Sequence, residues 1–322
     1  MPTLENSRFE TPILFIIFNR PEVTQKVFDQ IKQVKPRYLY VAADGPRQSQ
    51  VNDIGNCAAT RKIIEQIDWH CDLKTLFREE NLGCGPGVSS AITWFFENVE
   101  AGIILEDDCL PNLSFFPYCE ALLIKYWSED VVKFIGGNNF QNGIKRGHAS
   151  YYFSHYPTSW GWATWRRSWT LFNADISDST LKIKQGHLDL VFNSSMEKNH
   201  WLKSLHKANN ERKSVWDFQF YYAIWLSKGL CVTPNQNLVV NLGFFDQGTH
   251  YFLKDSTKTS VRSESIDFPL VHPYAMNVDR KADSYTFNNF YSHSLSRSLR
   301  LWKENDLLSI FYYFKARFYK AS

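Results

Sequence analysis

Residues 13–18, Ile-Leu-Phe-Ile-Ile-Phe, form a continuous apolar run. A strand buried on both faces reads this way, because neither side needs a polar position. Pro21 opens the next segment, and Val23, Val27, Ile31 and Val34 follow at helical spacing. Proline suits the first helical turn, so a helix is expected from there. Residues 38–43 read as a second strand, ended by the turn signal Asp44, Gly45, Pro46. A helix is expected over 58–67, a short strand over 73–77, a glycine-rich turn over 81–87 and a helix over 88–99. Ile103, Ile104 and Leu105 make another buried strand, which runs directly into Glu106, Asp107 and Asp108. A helix over 113–127 and a strand over 131–135, ended by Gly136 and Gly137, complete the series.

Repeated strand–helix units of this length predict an α/β fold with a doubly wound, mostly parallel sheet and helices on both faces. Ligands of such sheets bind outside the carboxyl ends of the strands. The pattern changes near residue 140. Residues 151–169 are dense in Tyr and Trp and carry loop signals. Residues 201–230 look largely helical, and 249–283 are polar and poorly periodic, as expected of a mobile loop region. The expected organisation is a first half over 1–140, a second half of the same domain over 141–285, and a tail over 286–322. In that tail Leu307, Ile310, Phe311, Phe314 and Phe318 follow helical spacing beside Lys315, Arg317 and Lys320. A basic amphipathic helix of this kind lies on an anionic membrane or docks on its own domain, and both readings stand.

Composition narrows the classes. Of 322 residues, 44% are hydrophobic and 21% charged, which supports a packed core over disorder. A net charge of +3 does not fit a nucleic-acid binder, which carries a basic stripe. The six cysteines include no C-x-x-C pair, so reduced thiols are expected and a structural zinc site is not. The start, Met1 to Asn6, lacks the basic segment of a signal peptide. No stretch reaches the roughly 18 apolar residues of a spanning helix. The expected location is the cytoplasm, with the inner membrane face added if the tail binds lipid. Aromatics reach 16%, which suits stacking on sugar or uracil but also suits cores.

The acidic triplet carries the most chemistry. Three consecutive carboxylates at a strand end repel one another, so something positive must compensate them. A divalent cation is the natural compensator, since hard cations choose carboxylate oxygen. A solvated acidic turn is the plain alternative.

The residues Ile13 to Pro21, Ala43 to Pro46, Asn81 to Gly83 and Ile104 to Asp108 resemble the nucleotide-diphospho-sugar transferases of GT-A fold. More narrowly, they resemble bacterial polysaccharide-type relatives of the Golgi N-acetylglucosaminyltransferase that starts hybrid N-glycans. The resemblance continues through Ser159 to Ala163, Trp216 and Asp217, and Asn241 to His250, and so spans roughly residues 10–275. It implies a nucleotide-sugar-binding first half and an acceptor-side second half. It implies uridine contacts from Arg20 and Asp44, sugar or ribose contacts from Glu106 and Asp107, and a metal, Mn²⁺ or Mg²⁺, on Asp108. It implies Asp217 as general base, while Trp160 and His250 fall in motifs near the donor. The donor would be a UDP-sugar and the acceptor a glycan, free or lipid-linked.

The plain readings stand beside these. Arg20 suits a helix entry, Asp44 a turn, Asp217 a helix cap, Trp160 a core and His250 a structural role. The family's nucleotide-touching histidine falls near Ala91 here, which departs from the pattern. The glycine-rich turn either brings backbone to the donor or simply joins strand to helix.

The expected activity is inverting transfer of a sugar, GlcNAc among the candidates, from a UDP-sugar to a glycan hydroxyl in surface polysaccharide or glycoconjugate synthesis. An inactive nucleotide-sugar or glycan-binding module of the same fold is one alternative. A nucleotidyltransferase is the other, although Asn19, Arg20 and Pro21 stand where its glycine-rich basic signature would follow the first strand.

Overall fold

The computed structural model describes residues 9–244 and 262–291. The first apolar run is strand β1, Ile13–Ile17, and Pro21 sits at the first turn of α1, Pro21–Val34. Strand β2, Tyr38–Ala43, α2, Asp53–Lys62, and β3, Asp72–Phe77, follow. Then come α3, Cys84–Asn98, β4, Ala101–Glu106, and the short β5, Cys109–Pro111. Helix α4, Phe115–Lys125, leads to β6, Val132–Gly136.

Beyond residue 140 the chain returns to the same sheet with β7, Tyr151–Ser154, and β8, Trp162–Trp165. These two strands correct the loop-like reading of residues 151–169. Both are buried along their whole length, so no polar alternation marked them, and aromatic residues favour strands. Short α5, Arg166–Trp169, and α6, Ser179–Lys184, lead to α7, Ser195–Asn210, and α8, Asp217–Leu226. Strands β9, Leu230–Pro234, and β10, Val239–Asn241, follow, and α9 is Arg280–Thr286.

The main sheet has eight strands in the order β3-β2-β1-β4-β8-β6-β9-β7. Pairings β3–β2, β2–β1, β1–β4 and β6–β9 are parallel. Strand β8 runs antiparallel to both β4 and β6, and β7 is antiparallel to β9. The sheet is therefore mostly parallel, with two reversed strands. Strand β10 pairs with β5 in a small separate ribbon.

Alternation within β1 assigns the two layers. Ile13, Phe15 and Ile17 pack with Val27, Phe28 and Ile31 of α1 and with Phe115, Phe116 and Leu122 of α4. Leu14 packs on the opposite face with Ala91, Ile92 and Phe95 of α3 and with Phe220 and Ile224 of α8. A third cluster, with Trp201, Leu205, Tyr222 and Trp225 at its centre, joins α7 to α8.

The expected loop region over 249–283 divides. Residues 249–261 lie outside the described residues. Residues 262–279 lack helices and strands but are tied down by backbone hydrogen bonds, including Glu264 N–H to Asn237 O at 2.7 Å and Asp279 N–H to Phe153 O at 2.8 Å. Helix α9 then buries Asp283 completely, where it accepts from Ser154 Oγ at 2.5 Å and from His155 N–H at 3.1 Å. Low apolar content hid this docking, because it depends on hydrogen bonds. The N-terminal residues 1–8 and the tail residues 292–322, with the amphipathic pattern from Leu307 to Lys320, lie outside the described residues. No helix among the described residues is long and apolar enough to cross a membrane.

Candidate active site

The carboxyl ends of the parallel strands open onto a cleft of about 770 Å³. Seven of the candidate residues line it: Arg20, Asp44, Glu106, Asp107, Asp108, Trp160 and Asp217. His250 lies outside the described residues. The seven come from five separate segments, and the sheet order explains their meeting. Asp44 follows β2, Arg20 follows β1, and the triplet ends β4. Trp160 precedes β8, whose reversed direction brings its start to the same edge. Asp217 opens α8.

The triplet has a compensating charge within the chain. Arg20 donates to Asp107 Oδ1 through a short contact and to Asp108 Oδ2 at 3.1 Å. Asp107 also accepts from Phe18 N–H at 3.3 Å and is buried. Asp108 receives further weak donors, Asn241 Nδ2 at 3.4 Å and Cys109 Sγ at 3.5 Å. A metal is therefore not the sole source of compensation for the three adjacent carboxylates, since Arg20 places a permanent positive charge against two of them. Gly243 passes close over this pair, where a Cβ would strike Asp108 Oδ2 and stand 2.9 Å from an Arg20 guanidinium nitrogen.

The electrostatics follow from enclosure. Burial raises the Asp107 carboxyl to about 6, with Arg20 opposing and Asp108 adding to the rise. Glu106, enclosed by the cleft walls, is pushed well up by that enclosure and then by Asp108, Asp107 and Asp217. Burial works against the Arg20 charge, but the fields of Asp107 and Asp108 outweigh it and raise its pKa. The Cys84 thiol at the start of α3 opens on the cleft. Its enclosing walls come first, followed by Glu106, Asp217, Asp108 and Asp44, and together they push it up to about 12. Burial and mutual repulsion thus disfavour the charged forms of Glu106 and Asp107 on the cleft floor, with Arg20 opposing them.

Asp44 carries a second task. Its carboxylate accepts from Leu82 N–H at 3.0 Å and from Gly83 N–H at 3.1 Å, which ties the 81–83 turn to the end of β2. Asn81 reciprocates through Nδ2 to Gly45 O at 2.9 Å. The glycines of the turn serve close approach within the chain. Gly83 holds φ of 81°, and a Cβ on Gly85 would run into the Arg212 carbonyl. A Cβ on Gly87 would lie 3.2 Å from Asp44 Oδ2. Helix α3 accordingly begins at Cys84, inside the expected turn. Ala91 is fully buried in the core, far in character from a nucleotide contact.

Asp217 accepts from its own neighbour, Phe218 N–H, at 3.0 Å. Trp160 meets Phe140 and Phe290 edge-on at 5.3 and 5.9 Å and remains partly open to the cleft. Residues not singled out from sequence also line the cleft: Asn19, Arg47, Arg78, Asn138, Thr158 and Lys213 among them. Arg47 bonds Asp53 at 2.6 Å, and Asn19 bonds the other oxygen of Asp53 at 2.7 Å. Asn138 stands just past the glycines at the end of β6, but nothing in the sequence distinguishes it from Asn139. The others sit in loops whose polar composition is ordinary.

A divalent cation would find limited protein ligation. Among the described residues no group of three His, Cys, Asp or Glu side chains could hold a metal ion. Asp108 fits as a single hard-oxygen ligand if a bound diphosphate supplies the others. Its Oδ2 is the oxygen that faces Arg20, so cation and guanidinium would compete for it.

No family model and no curated protein matches the sequence. Solved structures with some likeness include HddC from Yersinia pseudotuberculosis, at 9% identity and TM-score 0.31, over 49% of this chain and 78% of that one. Another is 4-diphosphocytidyl-2C-methyl-D-erythritol synthase from Anaerococcus prevotii, at 9% identity and TM-score 0.29, over 67% of this chain and 97% of that one. Mouse xyloside xylosyltransferase 1 is similar at 10% identity and TM-score 0.31, over 68% of this chain and 82% of that one. At these levels the reading of function rests on the cleft itself.

Proposed function

We propose that the protein is a glycosyltransferase that moves a sugar from a UDP-sugar to a glycan hydroxyl with inversion, assisted by a divalent cation. One observation carries the reading: the acidic triplet, Arg20, Asp44 and Asp217 share one strand-edge cleft. This is where a doubly wound sheet binds nucleotides. The cations Arg20, Arg47, Arg78 and Lys213 around it suit a diphosphate.

In this reading the base and ribose lie toward Asp44 and Arg20, with Asp107 beside them. Glu106 faces the donor sugar, and Trp160 covers it. Asp217 takes the proton from the acceptor hydroxyl as that oxygen attacks the anomeric carbon. The bond from that carbon to the diphosphate oxygen breaks, and the electron pair leaves with UDP. A cation on Asp108, Mn²⁺ or Mg²⁺, would supply charge stabilisation for the departing diphosphate. Arg20, already beside Asp108, stabilises the same charge from the protein side.

The test is UDP release from a panel of UDP-sugars, UDP-GlcNAc included, with and without Mn²⁺. Metal-stimulated release from at least one donor is expected. Asp108→Asn is expected to remove the metal stimulation. If no UDP-sugar is turned over and none raises the melting temperature, the transferase reading fails.

A further inference from the structure

Two consecutive asparagines after β6 behave in opposite ways. Asn139 is fully engaged in the fold: its Nδ2 donates to Pro234 O at 2.6 Å, and its Oδ1 accepts from Gln141 N–H at 2.6 Å. Asn138 is 1% exposed, yet neither its Nδ2 nor its Oδ1 has a hydrogen-bond partner. It lines the cleft. Thr158, 6% exposed, lines the same cleft, and its Oγ1 is likewise without a partner. Gly136 holds the two segments together, since a Cβ there would lie 2.7 Å from Thr158 Oγ1. A buried amide and a buried hydroxyl left unpaired are costly in a folded protein, so their retention at a cleft points to a ligand that pairs them.

The position selects the ligand. Along the sheet edge the order is β2, β1, β4, β8, β6. Asn138 and Thr158 therefore lie beyond the acidic triplet, on the side away from Asp44. The charged residues around Arg20 and the triplet serve a charged ligand, whereas this end offers two donors and an acceptor on Asn138 and a hydroxyl on Thr158, all neutral. An amide that must both donate and accept matches adjacent hydroxyls, which do the same. A phosphate would leave Oδ1 unpaired. Trp160, two residues after Thr158, adds an aromatic surface of the kind that packs on the C–H face of a pyranose.

We infer that Asn138 and Thr158 form a hydroxyl-recognising subsite for a pyranose ring, on the far side of the acidic triplet from Asp44. The inference rests on the sugar-transfer reading. The ring belongs to the donor or to the acceptor, and the arms of one experiment separate the two.

Calorimetry with UDP and with UDP-sugars in Mn²⁺, on wild type, Asn138→Leu and Thr158→Val, is the first arm. If the ring is the donor's, some UDP-sugar binds wild type more tightly than UDP does, and each substitution reduces that excess about tenfold. Affinity for UDP itself stays unchanged. If the ring is the acceptor's, the excess survives and the KM for acceptor saccharide in UDP release rises about tenfold instead. Unchanged donor excess together with unchanged acceptor KM overturns the subsite and leaves the transferase reading intact. A wild type that binds neither UDP nor any UDP-sugar overturns both. The second arm needs no ligand. Asn138→Leu is expected to melt at or above the wild-type temperature, and Asn139→Leu below it. A clear loss of melting temperature in Asn138→Leu would show that its amide has folding partners, and the proposal would fall.

Discussion

The two walls of the cleft are built on different principles. The wall from the first four strands is charged and bonded to itself: Arg20 to Asp107 and Asp108, Arg47 to Asp53, and Asp44 to the turn before α3. The wall from residues 138–160 and α8 is mostly neutral and aromatic, and it leaves polar atoms of Asn138 and Thr158 unpaired. Charges must be compensated for the chain to fold, so the first wall is assembled before any ligand arrives. Neutral amides and hydroxyls cost less to leave open, so the second wall can hold specificity in reserve. Preorganised charge for a charged ligand, beside open hydrogen bonding for an uncharged one, is the division that the proposed transfer of a sugar from a diphosphate would use.

The sharpest break of this comparison is on the neutral wall's single acid. Asp217→Asn is expected to lower turnover by at least about 100-fold while donor affinity holds, measured by UDP release and calorimetry. Unchanged turnover would remove Asp217 as the base and leave it as an acidic first-turn residue of α8, whose N-cap position is Trp216. Gly85→Ala attacks the seam between the walls, where the α3 turn meets the 211–216 loop. It is expected to cost about 2 kcal/mol in urea unfolding, because the new methyl meets the Arg212 carbonyl backbone. A neutral result would mean that the 211–216 loop yields freely.

Arg20→Ala tests the self-compensation of the charged wall. It leaves Asp107 and Asp108 facing one another, and a loss of about 1–2 kcal/mol is expected, reduced by the partial exposure of Arg20. Adding Asp107→Asn should recover part of that loss. If the double variant is no better than the single one, the pairing does not carry stability.

The smallest effect is at the rim. Bonding to Arg47 outweighs burial and holds Asp53 at about 2, below its ordinary 3.8. A depressed carboxyl stabilises the fold above its unfolded pKa. That contribution is therefore complete above about pH 4 and is lost as pH falls toward 2. Asp53→Asn should flatten acid unfolding in that interval, and an unchanged acid profile would show that the pair is idle.

Much of the first half was legible because buried parallel strands are short apolar runs between helix signals. β1, β2 and β4 came directly from that pattern, as did the acidic triplet at the strand end. Strands β7 and β8 escaped because four buried aromatic-rich residues show no period. The engagement of Asp44 with Leu82 and Gly83 escaped because its partners are backbone groups, which composition does not display. Asn138 and Asn139 are the clearest case, since adjacent identical residues differ only in what surrounds them.

The sequence by itself determined the α/β layering, the direction of the first strands and the presence of an acidic strand end. These are local properties, written in hydrophobic period and in turn residues. The tertiary structure alone decided that β8 enters the sheet reversed, which carries Thr158 and Trp160 to the edge where Glu106, Asp107 and Asp108 lie. It alone decided that Arg20 pairs with two of those acids, and which polar groups of the cleft stay unpaired. Such outcomes depend on contacts between residues more than 80 positions apart in the chain.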